Sequence, residues 1–183
     1  MPSVQRPTVS FLVQGAGENR EPGKVFLIKF RTKRHGGYGV PGGGKEIDDS
    51  VMETAVKEAR EELGIELLLD SLILFAIRDY PCRDVLRGKK LSKYVSDLPR
   101  EMDIQVDTYH NLDFVVATKT LYDIDPLGLV PGDKEEVERI VLVDALHPPT
   151  PLPISDDLDL LRLFGDFCRS GKSFETHQPI FMS

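Results

Sequence analysis

Two runs rich in β-branched and aromatic residues, Thr8 to Val13 and Lys24 to Arg31, flank the polar, glycine-bearing stretch Gln14 to Gly23. That pattern predicts two neighbouring antiparallel strands joined by a loop. Gly36 to Gly44 follows with six glycines and Pro41 in nine residues, a composition that requires a shaped loop. The apolar period then becomes helical. Val51, Met52, Ala55, Val56, Ala59 and Leu63 fall on one stripe of a helix over Ser50 to Leu63. Ser50 with Glu53 forms a capping box at its start, and Gly64 supplies the stop.

Leu67 to Ile77, Asp113 to Lys119 and Ile140 to Val143 are further predicted strands. A second amphipathic helix is predicted over Ser155 to Cys168, capped by Ser155 and burying Leu158, Leu161, Leu163 or Phe164, and Phe167. His147 to Pro153, with four prolines in seven residues, connects the last strand to that helix. Strands and helices alternate irregularly, which predicts an α+β fold with a mixed sheet flanked by helices. The polar stretch Pro81 to Thr108 has no firm period, and loops of that length are lids, binding loops or disordered segments. Its first part carries Arg83, Arg87, Lys89, Lys90 and Lys93 against only Asp84, and is expected to act as a basic flap over substrate phosphates.

Composition narrows the class. At 183 residues the chain is expected to form one domain spanning 1–183, with an insertion at about 81–108. Apolar residues make up 40% and charged residues 29%, as in an ordinary globular protein. There is no apolar run of membrane-spanning length, and Val9 to Val13 is too short for a secretory signal. Cys82 and Cys168 lie far apart without metal-ligand spacing, so free thiols in a reducing cytoplasm are expected. A net charge of −7 argues against a nucleic-acid partner, while an anionic small molecule held through a metal ion is compatible with it.

Two phosphate-loop patterns nearly match the glycine stretch. Gly37, Gly39 and Gly42 have dinucleotide-fingerprint spacing, but Pro41 and further residues separate them from the helix they should open. Gly39, Gly44 and Lys45 have phosphate-loop spacing, but Glu46 replaces the hydroxyl that would reach magnesium.

The informative cluster is Glu58, Glu61 and Glu62. On a continuous helix these carboxylates share a sector about 100° wide. It abuts the apolar stripe, with Glu62 projecting between Val51 and Ala55. Like charges so placed repel, and a hard divalent cation with oxygen ligands offsets that repulsion.

Gly43 to Ile65 resembles the Nudix box, in which a glycine precedes a glutamate by six positions and an Arg-Glu-aliphatic-any-Glu-Glu-any-Gly-aliphatic run follows. Gly43, Glu58, Glu61, Glu62 and Gly64 match, with Ala59 and Ile65 at aliphatic positions; Asp49 replaces the first glutamate and Lys57 the arginine. The resemblance implies an α/β/α sandwich and a hydrolase cutting a phosphoanhydride of a nucleoside diphosphate linked to another moiety. It implies magnesium, with manganese an acceptable substitute, held by Glu58, Glu61, Glu62 and a backbone carbonyl of Gly42 or Gly43. Lys57 is expected to brace the carboxylates, and Asp49 keeps the charge of the residue it replaces. A further glutamate is expected before the last strand, Glu135 or Glu136. Glu136 joins Glu58, Glu61, Glu62, Lys57 and Asp49 as a catalytic candidate, and the base is expected among Glu61, Glu62, Glu135 and Glu136. Arg31, Lys33 and Arg34 are candidate phosphate contacts, Tyr80 a candidate for stacking on a base, and Tyr38 the aromatic before the glycines. The expected partner is a nucleotide-derived small molecule, and a homodimer is compatible with the chain. Rival readings are a non-catalytic nucleotide-binding module of the same fold and an isoprenoid isomerase using Cys82.

Overall fold

The computed structural model describes residues 4–17, 19–31, 36–46, 48–82, 109–152 and 155–182. The basic stretch Arg83 to Lys93, the rest of the expected insertion to residue 108, and Lys33 and Arg34 lie outside the described residues.

Among the described residues, eight strands and two α-helices run in the order β1 (Val4–Leu12), β2 (Lys24–Phe30), β3 (Tyr38–Gly39), β4 (Gly42–Gly44), α1 (Val51–Glu58), β5 (Leu72–Cys82), β6 (Tyr109–Thr118), β7 (Val137–Asp144), α2 (Ser155–Arg169) and β8 (Ile180–Met182). They form a five-stranded sheet in the order β4-β1-β6-β5-β8 and a three-stranded sheet in the order β3-β2-β7. The larger sheet is mixed: β1 runs parallel to β6, β8 parallel to β5, and the other pairs are antiparallel. The first two strands are therefore not sheet neighbours, contrary to the expectation from their loop. Past the end of β1 the chain bridges β2 in antiparallel fashion at Gln14–Val25, with the Phe26 amide bonding the Val13 carbonyl and the Gly15 amide the Lys24 carbonyl, each at 3.0 Å. Alternation specifies which face a side chain takes and leaves the partner strand open.

That alternation builds two cores. Val9, Phe11, Phe26, Ile28 and Val116 point to one side, where Ala55, Ala59 and Leu63 of the first helical segment cover them. Leu12, Val25, Leu27 and Val115 point to the other, against Leu160, Leu161 and Phe164 of α2. The result is the three-layer α/β/α arrangement. The strand expected from Leu67 begins only at Leu72, because Ser71 closes a 3-10 turn, its hydroxyl donating to the Leu68 carbonyl at 2.6 Å, and leaves Leu68 and Leu69 exposed.

One ionic cluster crosses the layers. Arg78 of β5 is buried, and its Nε and Nη2 donate to Oδ2 of Asp113 on β6 at 2.9 and 2.6 Å. Its Nη1 donates to Oδ1 of Asp157 on α2 at 2.8 Å. Thr8 and Ser10 of β1 donate their hydroxyls to the other Asp113 oxygen, and the Val40 amide donates to the second Asp157 oxygen at 3.3 Å. Burial alone would lower the Arg78 pKa, but the two carboxylates outweigh it and hold the guanidinium charged. Removing one member of such a cluster leaves a buried charge short of its partner. Asp113→Leu should therefore cost about 3–5 kcal/mol of stability in urea unfolding; a loss near zero would show that the cluster contributes nothing to folding.

Candidate active site

The site starts from local chemistry at the first helix. The Ser50 hydroxyl accepts from the Glu53 amide at 3.2 Å, and the Glu53 carboxylate accepts from the Ser50 amide at 2.8 Å, so both expected arms of the capping box form. The helix does not remain α-helical to its end. Ala59–Leu63 is a π-helical turn closed by Gly64 in the left-handed conformation, φ 67°. The Gly64 and Ile65 amides take the Arg60 and Ala59 carbonyls, and the Glu61 carbonyl goes instead to the amide of Asp133, 3.1 Å away.

The glycine stretch is fixed from both sides. β3 joins the three-stranded sheet and β4 the five-stranded one, with Val40 and Pro41 between them. The Phe11 amide bonds the Pro41 carbonyl and the Lys45 amide the Pro7 carbonyl, at 3.0 and 3.1 Å. This stitching sets β4 beside the helix. The Gly42 amide donates to Glu62 Oε2 at 2.7 Å. A Cβ on Gly43 would collide with the Glu58 carboxylate, so only glycine lets that side chain lie against the loop.

A second acidic segment meets these groups. Asp133 and Glu136, before β7, lie close enough to Glu62 to act on its charge, as does Glu58. Burial pushes the Glu62 carboxyl up to about 8, the Gly42 amide opposes this, and the charges of Glu58, Glu136 and Asp133 add to the rise. The Glu61 side chain is exposed, as is that of Glu135. Among the described residues no three acidic, histidine or cysteine side chains already converge as a ready-made metal-binding group. The donors are nonetheless hard carboxylate oxygens, crowded around Glu62, and a divalent cation suits such a set.

The remaining expected residues fall around this core. Both oxygens of Asp49 accept from Lys57 Nζ at 2.7 Å, so the two substituted box residues pair with each other. That bond raises the Lys57 pKa, and the pair ties the segment before α1 to its last turn. Arg31 is exposed. Its Nε donates to the Lys134 carbonyl at 2.8 Å and its amide to the Glu136 carbonyl at 2.9 Å, which places it beneath the acidic segment. Tyr80 lies in β5, with its side chain outside the described residues, and Cys82 ends the same strand. The Tyr38 hydroxyl accepts from Arg139 Nη2 at 3.2 Å. Asp133 was not among the expected residues; the only signal for it was its place after Gly132, a turn-forming dipeptide just before the two glutamates.

Comparison with known proteins bears on the family and the fold. The NUDIX domain family model matches residues 5–158. Solved structures with the same fold include a Nudix hydrolase from Nitrosomonas europaea, with TM-score 0.58, 16% identity and coverage of 100% of this chain and 81% of that one. A MutT protein from Methanosarcina mazei gives TM-score 0.55 and 15% identity, covering 94% of this chain and 99% of that one. An ADP-ribose pyrophosphatase from Streptococcus suis gives TM-score 0.51 and 16% identity, covering 96% and 98%. No curated protein matches the chain. A helix-borne carboxylate site on an α/β/α sandwich defines the class, and with the match over residues 5–158 the chain belongs to the Nudix hydrolase family, whose enzymes are pyrophosphohydrolases. Among the described residues no helix is long and apolar enough to cross a membrane.

The state of Glu62 has a measurable consequence. Its folded pKa lies above the ordinary value of 4.5, so between about pH 5 and about pH 8 the folded protein holds a proton that the unfolded chain has released. Stability without divalent ions should therefore fall as pH rises through that window and level off above it. Glu62→Gln should flatten the slope, which urea unfolding in a chelator at several pH values would measure; an unchanged slope in the variant would assign it to another group.

Proposed function

We propose that the protein hydrolyses the phosphoanhydride bond of a nucleoside diphosphate joined to a second moiety, such as ADP-ribose, a sugar nucleotide or a dinucleoside polyphosphate, using magnesium or, in its place, manganese. The observation that carries this reading is the meeting of Glu58 and Glu62 with Asp133 and Glu136 beside the Gly42–Gly44 strand. Glu58, Glu61 and Glu62 with the Gly43 carbonyl would hold the cation. When bound, it supplies a Lewis acid for phosphate oxygens and lowers the pKa of coordinated water.

The chain's own groups do the rest. The Gly42 amide keeps one Glu62 oxygen oriented, leaving the other for a ligand. Of the base candidates Glu61, Glu62, Glu135 and Glu136, we take Glu136, whose charge acts on Glu62 while the Glu61 and Glu135 side chains are exposed. Its carboxylate would accept the proton of the attacking water as the new P–O bond forms and the anhydride P–O bond breaks, releasing the second phosphorylated fragment. The Lys57–Asp49 pair anchors the segment leading into α1, and so the position of the carboxylates behind it. Arg31, Arg34 and Tyr80 are the proposed contacts to the substrate phosphates and base. We assign the whole chain to one domain acting in the cytoplasm, with no nucleic-acid partner.

A hydrolysis panel with magnesium and manganese over ADP-ribose, sugar nucleotides, dinucleoside polyphosphates, nucleoside triphosphates and coenzyme A tests the reading. Turnover is expected on at least one diphosphate-linked compound; binding without turnover on all of them would favour a non-catalytic module. Glu58→Gln and Glu62→Gln should each lower kcat by at least about 10^2 with the fold retained, and near wild-type rates in both would remove this helix from the site. Lys57→Arg should keep activity and Lys57→Ala lose it, because the pair with Asp49 needs a cation; equal rates in all three proteins would leave the pair without a role.

A further inference from the structure

We propose that Asp133 is a positioning residue, which docks the second acidic segment on the π-helical turn and so sets Glu136 against Glu62. Four hydrogen bonds define its place. Its amide donates to the Glu61 carbonyl at 3.1 Å, and its own carbonyl accepts from the Val137 amide at 3.0 Å. Its Oδ1 accepts from the amides of Glu135 and Glu136, each at 3.0 Å. The side chain thus folds the backbone into an Asx turn, while the main chain holds that turn to the box helix at one end and to β7 at the other.

The docking depends on the π-helical turn. A helix end leaves carbonyls without intrahelical partners, and here one of them, on Glu61, points to a neighbouring segment. Two glycines permit the approach. A Cβ on Gly132 would sit 2.5 Å from the Glu61 carbonyl oxygen, and one on Gly64 would sit 2.8 Å from the Val130 carbonyl oxygen. Backbone therefore lies on backbone on both sides of the turn. Arg31 closes the far side through the Lys134 and Glu136 carbonyls. With its carbonyl tied to Arg31 and its amide to Asp133, Glu136 has its backbone fixed at both polar groups.

The inference rests on the hydrolytic reading above, in which Glu136 takes the water proton. Displacement of a reacting group by about 1 Å can cost about 10^2 in rate. Asp133→Ala should therefore lower kcat by about 10^2 while KM stays within about twofold, since the substrate-binding groups are untouched. Asp133→Asn should recover most of that loss, because its amide oxygen accepts the same two backbone bonds without the charge. Gly132→Ala should reproduce the alanine phenotype by pushing the segment off the Glu61 carbonyl. Amide hydrogen exchange supplies a readout independent of activity. Residues 133–137 should be protected in the wild type, exposed in Asp133→Ala and protected again in Asp133→Asn.

Wild-type turnover with unchanged kcat and exchange in Asp133→Ala would overturn the docking role. An asparagine variant as slow as the alanine variant, with exchange protection restored, would also overturn it and make the charge the working part. A wild type inactive on the whole panel would sink the hydrolytic reading instead; exchange alone would then decide the docking, with unaltered protection in Asp133→Ala overturning it.

Discussion

Burying Arg78 obliges the molecule to bring carboxylates to it, and the way those carboxylates are supplied organises everything around the site. One comes from the adjacent strand, as Asp113, and one from α2, as Asp157. Each carboxylate has a second oxygen to satisfy. Asp113 spends it on the Thr8 and Ser10 hydroxyls of β1, and Asp157 on the Val40 amide inside the glycine stretch. A single guanidinium therefore fixes the order of three strands, the seating of a helix and the path of the loop that ends at Gly42.

The carboxylate-bearing helix receives its geometry from that loop. Gly42 presents its amide to Glu62, and Gly43, lacking a side chain, leaves space for Glu58. Backbone thus supplies a neutral donor to Glu62, while Glu58, Asp133 and Glu136 all act against its ionisation. Such an arrangement is poor for an isolated protein and well suited to binding cations, since the energy withheld by crowding like charges returns when a counter-charge enters. The Lys57–Asp49 pair stands outside this group, balancing charge nearby without neutralising the carboxylates themselves.

What could be read from the sequence follows the range of each interaction. The start of the first helix was legible because Ser50 and Glu53 cap each other across three residues, and its end because Gly64 adopts a conformation few other residues accept. The π-helical form of its last turn was not legible, since it goes with a bond to Asp133 far along the chain. For the same reason β1 and β2 were paired in expectation and lie in different sheets: each strand's faces are written in its alternation, its partners are not. Arg78, Asp113 and Asp157 look in sequence like ordinary surface charges on a strand or helix. Arg31 stands out in sequence as a candidate phosphate contact for its charge; its described bonds, to the Lys134 and Glu136 carbonyls, depend on a segment about a hundred residues away that its own neighbours do not announce.

The parallel pairing of β1 with β6 also bears on how the molecule is made. Thr8 and its partner Asp113 are 105 residues apart in the chain. At a synthesis rate of roughly 5–20 residues per second, β1 waits about 5–20 s after emerging before its central neighbour exists. During that interval Val9, Phe11 and Leu12, fully enclosed in the finished protein, lack the strand that lies beside them on the parallel side. The centre of the larger sheet thus cannot close until the chain has been made through Thr118, while the edge formed by β1 with β4 needs only the first 44 residues.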